Sequence, residues 1–438
     1  MLRKLSGAAH WLKRRSPQYV VLRLSNLVQR YGLTTAKARN RVIDCILLLR
    51  RYGCAPTFPT PGRVVERNPD FCHAIQQMGA ELAIHGYDHV DFHSLSSAEI
   101  RWQFDRAIAA YQQAGVQVVG FRCPYLSYSD RLLDALPAGQ LHYSSNTAVR
   151  WDEINSNGHT KPTAIYTNLT EFYAGTSATE ALSVPHTLPT SLIEIPVSLP
   201  DDMQIYDGLH AGRKGLALAW LDILHQSYRR GEMFTLLFHP ELYYLCALAF
   251  ERLLIETRSV RPGIWVARLS DIAAWWHEKA DFRVAMTHHA EQLELHFTCS
   301  ERATILARHL PLTETTQHWR DAYQQVLSHR VYVPAAPLPL LGVADDVPAA
   351  TAAMLAEQGY LIQRGAAAAE CATYIDADLV QRLATPVALI AYIEHLTTPL
   401  IRYWRWPSGY ASVLSFSGDL DALSLMDYAA RIVGKATA

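Results

Sequence analysis

Residues 81–89 read Glu-Leu-Ala-Ile-His-Gly-Tyr-Asp-His. The first four form a short apolar strand, and His85 and His89 follow it at the place where a parallel sheet presents its strand-end loops. Two imidazoles four residues apart can reach one metal ion from a single helical turn. Spacing alone leaves a plainer reading open, because the chain has 19 histidines and two surface rings would show the same interval.

Outward from this stretch one pattern repeats. On the N-terminal side, residues 19–24 (Tyr-Val-Val-Leu-Arg-Leu) read as a buried strand, and 34–52 show helical periodicity through Ala38, Val42, Cys45 and Leu49. On the C-terminal side a helix is expected over 96–114, a strand over 116–121 and a helix over 129–136. Strand-like runs at 192–198, 233–238 and 265–267 follow, with helices over 212–230 and 269–279. Successive strand–helix units predict an α/β fold, a parallel sheet or barrel whose chemistry sits at the C-terminal strand ends. Near 281 the texture changes to short alternating segments, and from Val331 a Pro/Ala-rich run leads into another α/β stretch. The expected division is a (β/α) barrel over 1–280, a short β-rich element over 281–330 and a smaller α/β region over 331–438.

The totals bound the function. A chain of 438 residues exceeds the size at which one core stops growing, and 50% hydrophobic with 18% charged residues excludes long disordered regions. A formal net charge of −1 gives no general attraction to nucleic acid or anionic lipid. The seven cysteines are odd in number and contain no CxxC pair, which points to neither a disulfide framework nor a zinc ribbon. The start of the chain is basic but lacks the apolar run of a secretory signal, and no later run is long enough to span a bilayer. A cytoplasmic location is therefore expected. The oligomeric state is not legible.

Two further strand ends join His85 and His89. Arg122-Cys-Pro-Tyr125 closes the strand after them, and Leu237-Phe-His239 closes a later one. With these residues in view the chain resembles the polysaccharide deacetylases with a NodB-type domain, the family-four carbohydrate esterases. Their H-[S/T]-x-x-H motif resembles His85 to His89, with Gly86 in the Ser/Thr slot. Their R-x-P-Y motif matches Arg122 to Tyr125, and their late L-x-H motif matches Leu237 to His239. The resemblance covers roughly 19–277 and implies an irregular (β/α) barrel and a divalent metal, Zn2+ above others. It also implies a carbohydrate or other amide-containing small molecule as substrate, losing an acetyl or similar acyl group. It makes His85 and His89 metal ligands, His239 the general acid and Arg122 the holder of a catalytic aspartate. Tyr125 would lend its backbone to the oxyanion site, and Asp202 would support His239; solvated loop charge is the other reading of Asp201 and Asp202.

One motif departs from the family. Its opening strand ends in Asp-Asp, a base followed by a ligand, whereas the strand at 20–26 ends in Ser25-Asn26. Ser25 cannot take a proton near neutral pH, and Asn26 offers only a neutral carbonyl. Without carboxylates the barrel would be a binding protein rather than an enzyme. A third possibility is hydrolysis of a non-sugar amide, as in relatives that open cyclic ureides. Asp88 and Asp91, beside His89, are possible substitutes. Another is the run at 406–421, which ends in Ser-Gly-Asp419-Leu-Asp421 and looks like a NodB opening strand with its acidic end. It either returns to the barrel, with Asp419 or Asp421 completing the metal set, or is a vestige, or uses its aspartates to cap a helix at 422–432. Tyr243, Tyr244, Trp275, Trp276, Trp404 and Trp406 could line a sugar groove or pack the core, and Cys123 could be a reactive thiol or a buried filler.

Overall fold

The computed structural model describes residues 30–137, 139–154, 171 and 173–434. The strand expected at 19–26, with Ser25 and Asn26, lies outside the described residues. Among the described residues, eleven strands precede residue 267: β1 (Thr57–Thr60), β2 (Glu81–Ile84), β3 (Gly120–Phe121), β4 (Tyr143–Ser144), β5 (Ala148–Arg150), β6 (Thr176–Ser177), β7 (His186–Thr187), β8 (Ile193–Glu194), β9 (Val197–Leu199), β10 (Met233–Phe238) and β11 (Gly263–Val266). The helices Ala36–Arg51, Ser97–Gln113, Gly212–Arg230 and Leu269–Ala280 fall within a residue or two of the sequence expectation. The expected strand over 116–121 shortens to two residues, and that over 192–198 splits in two.

β12 (Arg283–His289), β13 (Gln292–Thr298), β14 (Ile305–Arg308), β15 (Thr316–Arg320), β16 (Tyr323–Val326) and β17 (Arg330–Pro334) follow as antiparallel ribbons. β18 (Leu338–Val343), β19 (Ile362–Arg364) and β20 (Cys371–Ile375) form a small parallel sheet, and β21 (Leu400–Tyr403) pairs back onto β14. The last strand, β22 (Tyr410–Gly418), leaves this half of the molecule.

β22 enters the first sheet. The strand order is β6-β5-β9-β10-β22-β1-β2-β3-β4-β8-β7, with β11 also pairing β22, in the curled, mostly parallel sheet of an irregular (β/α) barrel. Six residue pairs, Met233↔Val413 through Phe238↔Gly418, join it to β10, and Thr57↔Ser417 joins it to β1. Every residue from Ala411 to Gly418 is buried, as a central strand covered on both faces requires. The chain therefore does not divide cleanly after residue 280, because its final strand supplies the middle of the first sheet.

Gly418 shows how closely this strand is fitted. A Cβ there would lie 2.7 Å from the Phe238 ring. Beyond it, Asp419 N–H donates to Phe238 O (3.0 Å) and Leu420 N–H to Pro59 O (2.8 Å), so the ladder extends on both sides past the strand end. The helix that follows runs Leu425–Gly434. Ser424 Oγ accepts from Asp427 N–H (3.2 Å) and caps its start, so neither Asp419 nor Asp421 serves as that cap.

Candidate metal centre

Three strand ends and the end of β22 meet at one mouth of the sheet. β2 delivers His85 and His89 through a tight turn in which Gly86 adopts φ +69°, and a Cβ there would sit 2.9 Å from Asp88 O. The family's Ser/Thr slot is thus filled by the residue that a left-handed turn favours. His85 Nδ1 lies 2.8 Å from Arg122 O, and since a carbonyl only accepts, Nδ1 carries the hydrogen. The neutral ring then offers Nε2 as a lone pair, buried and without a hydrogen-bond partner among the described residues.

Asp421 completes the set. Its Oδ1 is 3.5 Å from His85 Nε2 and 3.4 Å from His89 Nε2. These separations exceed a normal hydrogen bond. They fit the edges of a tetrahedron around one ion, about 3.4 Å for zinc bonds to nitrogen and oxygen of roughly 2.1 Å. All three ligand atoms lie within 4.8 Å of one another, and all three residues are buried. The chemistry and spacing of this donor set fit a divalent cation such as zinc.

Asp419 faces a different partner. Its Oδ1 accepts from Arg122 Nη1 at 2.8 Å, while its Oδ2 stands 3.9 Å from His85 Nε2. Of the two carboxylates expected as completing the set, it is Asp421 rather than Asp419 that the structure groups with the histidines. Alternation along an extended chain sends both side chains to one side of the sheet, with Leu420 buried between them. Arg122 is wholly buried, and its Nε and Nη2 donate to Ser145 O (3.1 Å) and Ser145 Oγ (3.0 Å).

The opposite wall carries His239. Register places it beside Asp419, one step beyond the Phe238↔Gly418 pair. Asp202 Oδ1 accepts from His239 Nδ1 (2.8 Å) and its Oδ2 from the His239 backbone N–H (2.9 Å). Burial pulls the imidazolium down, but the charge and hydrogen bond of Asp202 outweigh it and raise His239 from 6.5 to about 10. Asp201, buried beside Asp202, is pushed up to about 7 by burial and by its neighbour's charge. Tyr125 closes the rim, its ring 4.6 Å from that of His89 and its backbone at φ +61°, a strained value for a tyrosine.

With this geometry in view, similarity to known proteins can be stated. A family profile described as polysaccharide deacetylase matches residues 38–143, a span that holds His85, His89, Arg122 and Tyr125. A bifunctional xylanase/deacetylase of Pseudobutyrivibrio xylanivorans is 36% identical over 95 residues, which is 21% of this chain and 15% of that protein. The chain carries a polysaccharide deacetylase domain of the NodB type. Among solved structures, one described as a polysaccharide deacetylase of Mycobacterium smegmatis has 25% identity and a TM-score of 0.42 over 55% of this chain and 77% of its own. A family-four pseudoenzyme of Bacillus anthracis has 26% identity and a TM-score of 0.22 over 22% of this chain and 35% of its own.

Within this deacetylase domain the other candidates separate clearly. Asp88 is held by Arg63 (Nη2 to Oδ2, 3.1 Å), and Asp91 accepts from Ser127 Oγ (2.6 Å) and His93 N–H (3.0 Å). Neither joins the histidines. Trp275, Trp276, Trp404 and Trp406 are buried, with three indole N–H groups donating to Arg405 O, Tyr410 O and Gly231 O, so they pack the core, and none belongs to the metal centre. Cys123 is also buried, and burial pushes its thiol well up, which makes it a filler.

Sequence reasoning missed several supports. Ser145 holds Arg122, and Asn146 Oδ1 accepts from Cys123 N–H (2.7 Å). Buried Glu194 in turn accepts from the Asn146 and Thr147 N–H groups, both at 2.7 Å. The Tyr173 phenol is pushed up by burial and by the charges of Asp201, Asp419, Asp421 and Asp202. A buried Glu immediately after an apolar pair, Leu192-Ile193-Glu194, was the one available signal.

Proposed function

We propose that this protein is a zinc-dependent hydrolase that removes an acetyl or similar acyl group from an amino sugar or a related amide. The observation that carries the proposal is the delivery of Asp419 and Asp421 by β22 to Arg122 and to the His85–His89 pair. A binding-only reading depended on missing carboxylates, and these two supply them. The deacetylase match covers only 15% of the length of the curated relative, so the activity is argued from the site.

His85, His89 and Asp421 would hold the ion. When bound, it would polarise the acyl carbonyl and make a water acidic enough to attack at neutral pH. Asp419 accepts the proton of the attacking water, and the Arg122 guanidinium fixes the position of its carboxylate. His239 stays protonated at neutral pH because of Asp202, and it donates to the leaving amine. Tyr125 contributes its backbone, held in a left-handed conformation, to the oxyanion site.

Two substitutions separate the roles. Asp421→Ala should lower zinc affinity at least ~100-fold, measured by competition with a chromophoric chelator. Asp419→Ala should keep zinc within a few-fold while acetate release from an N-acetylated amino-sugar oligomer falls by roughly a thousandfold. Equal zinc affinity in wild type and Asp421→Ala would remove the metal reading. Full activity in Asp419→Ala would remove the base.

A further inference from the structure

A second cavity, of about 620 Å³, lies where the helix Gly212–Arg230 meets β14, β16 and the helix Pro386–His395. Its size is that of a small-molecule site, and it shares no residue with the metal centre. Five guanidiniums line it, those of Arg229, Arg230, Arg308, Arg320 and Arg405, against the three carboxylates Glu232, Asp321 and Glu394. Five against three leaves a net charge of +2.

Three of the arginines have evident structural work. Arg230 pairs with Glu232 (2.8 Å), Arg308 donates to Ile393 O and Glu394 O (2.6 and 3.0 Å), and Arg320 donates to Tyr228 O (2.7 Å). Arg405 differs. The residue is 1% exposed, and its Nε and Nη1 are buried without a hydrogen-bond partner among the described residues. Its guanidinium lies 5.3 Å from the Trp404 ring, which offers a π face but no anion. The two carboxylates whose charge reaches it are both taken, Glu232 by Arg230 at 2.8 Å and Glu394 by Arg402 at 2.7 Å. Burial and the charge of Arg402 lower Arg405 to about 10, so at neutral pH it is still a cation. A buried cation without an ion pair of its own is costly, and both nearby carboxylates are committed to other arginines.

We infer that this cavity binds a small phosphorylated molecule whose phosphoryl group pairs with Arg405. A planar guanidinium presents paired N–H donors that match phosphate oxygens, and a phosphate dianion neutralises the net charge of the lining, which one carboxylate does not. Leu182, Val387, Ile390 and Leu396 give the rest of the molecule an apolar wall.

Thermal unfolding of the full chain in inorganic phosphate or pyrophosphate, against chloride and acetate at equal ionic strength, tests this. A ligand that binds only the folded state raises Tm, here by about 3 °C near saturation. Arg405→Met should melt no lower than wild type in chloride, since it removes an uncompensated buried charge, and should show no rise with phosphate. His85→Ala should keep the full rise, which separates this cavity from anion binding at the metal centre. If Arg405→Met does not fold, Arg405→Lys, which keeps the charge without the fork, should lose more than half of the rise. The inference is overturned by no rise in wild type, by an equal rise in acetate, by a rise unchanged in the Arg405 variant that folds, or by loss of the rise in His85→Ala.

Discussion

Arg122 and Arg405 are both buried, 0% and 1% exposed, yet they stand in opposite electrostatic situations. Arg122 is closed off by Asp419, Ser145 O and Ser145 Oγ, and its anion arrives from a strand 297 residues away. Arg405 has an aromatic face, a cationic neighbour in Arg402 and a cavity. Burial alone therefore says little about a charge; its partners decide. A cation completed by the fold positions something else, in this case a carboxylate beside the candidate metal centre, whereas a cation left short of partners at a cavity wall marks a place for an anion from outside.

The contrast breaks or holds by substitution. Arg122→Met should show the largest effect, because it strands Asp419 as an uncompensated buried carboxylate. Removal of one partner of a buried pair costs about 3–5 kcal/mol, to be read by denaturant unfolding, and acetate release should fall roughly a thousandfold as the base loses its position. A variant that unfolds like wild type and keeps its turnover would show that Arg122 is no more committed than Arg405. Arg402→Met comes next. Arg402 pairs with Glu394, donates to Gln358 O and Tyr403 O, and stacks over Tyr360 at 3.7 Å, so its loss should cost about 3 kcal/mol and leave turnover unchanged. Neighbouring arginines, 402 and 405, should then respond differently to the same substitution, the first losing stability and the second losing none.

The legible part of the site is its local part. His85–His89, Arg122–Tyr125 and Leu237–His239 each sit on one strand end, so a contiguous motif carried both the chemistry and the position. The contact of Asp202 with His239 was anticipated only through the family resemblance, since the acidic pair by itself reads equally as solvated loop charge. The fold class followed from strand–helix alternation, a short-range signal. The slot of β22 was not legible, because nothing in residues 410–421 states that they pair between β10 and β1. An acidic strand end reads the same whether it caps a helix, survives as a remnant or completes a site. Hence Asp419 and Asp421 could not be told apart in the sequence, and the structure separates them by setting Asp419 against Arg122 and Asp421 against the two histidines. The tryptophans stayed ambiguous in the sequence for a related reason, since stacking on a sugar and packing in a core call for the same side chain.

The smallest expected effect belongs to a third ion pair, His239–Asp202, intermediate between the two arginines because the fold completes the charge but the proton must leave. His239 titrates near 6.5 when unfolded and near 10 when folded, so the pair's stabilising contribution is full below about pH 6.5 and is lost as pH rises through 10. Asp202→Asn removes the charge that raises it, and burial then pulls the imidazole down. In chelated protein the variant's Tm should fall below that of wild type at pH 7, and the gap should close as pH approaches and passes 10. In zinc-loaded protein the alkaline limb of acetate release should move down by about three units, from near 10 to the ordinary imidazole range or below, with at least about tenfold less activity at pH 8, since less of the acid carries its proton. A limb that stays in place would mean that the group titrating there is not His239. The Asp202 pair would then be structural, as the Arg402 pair is.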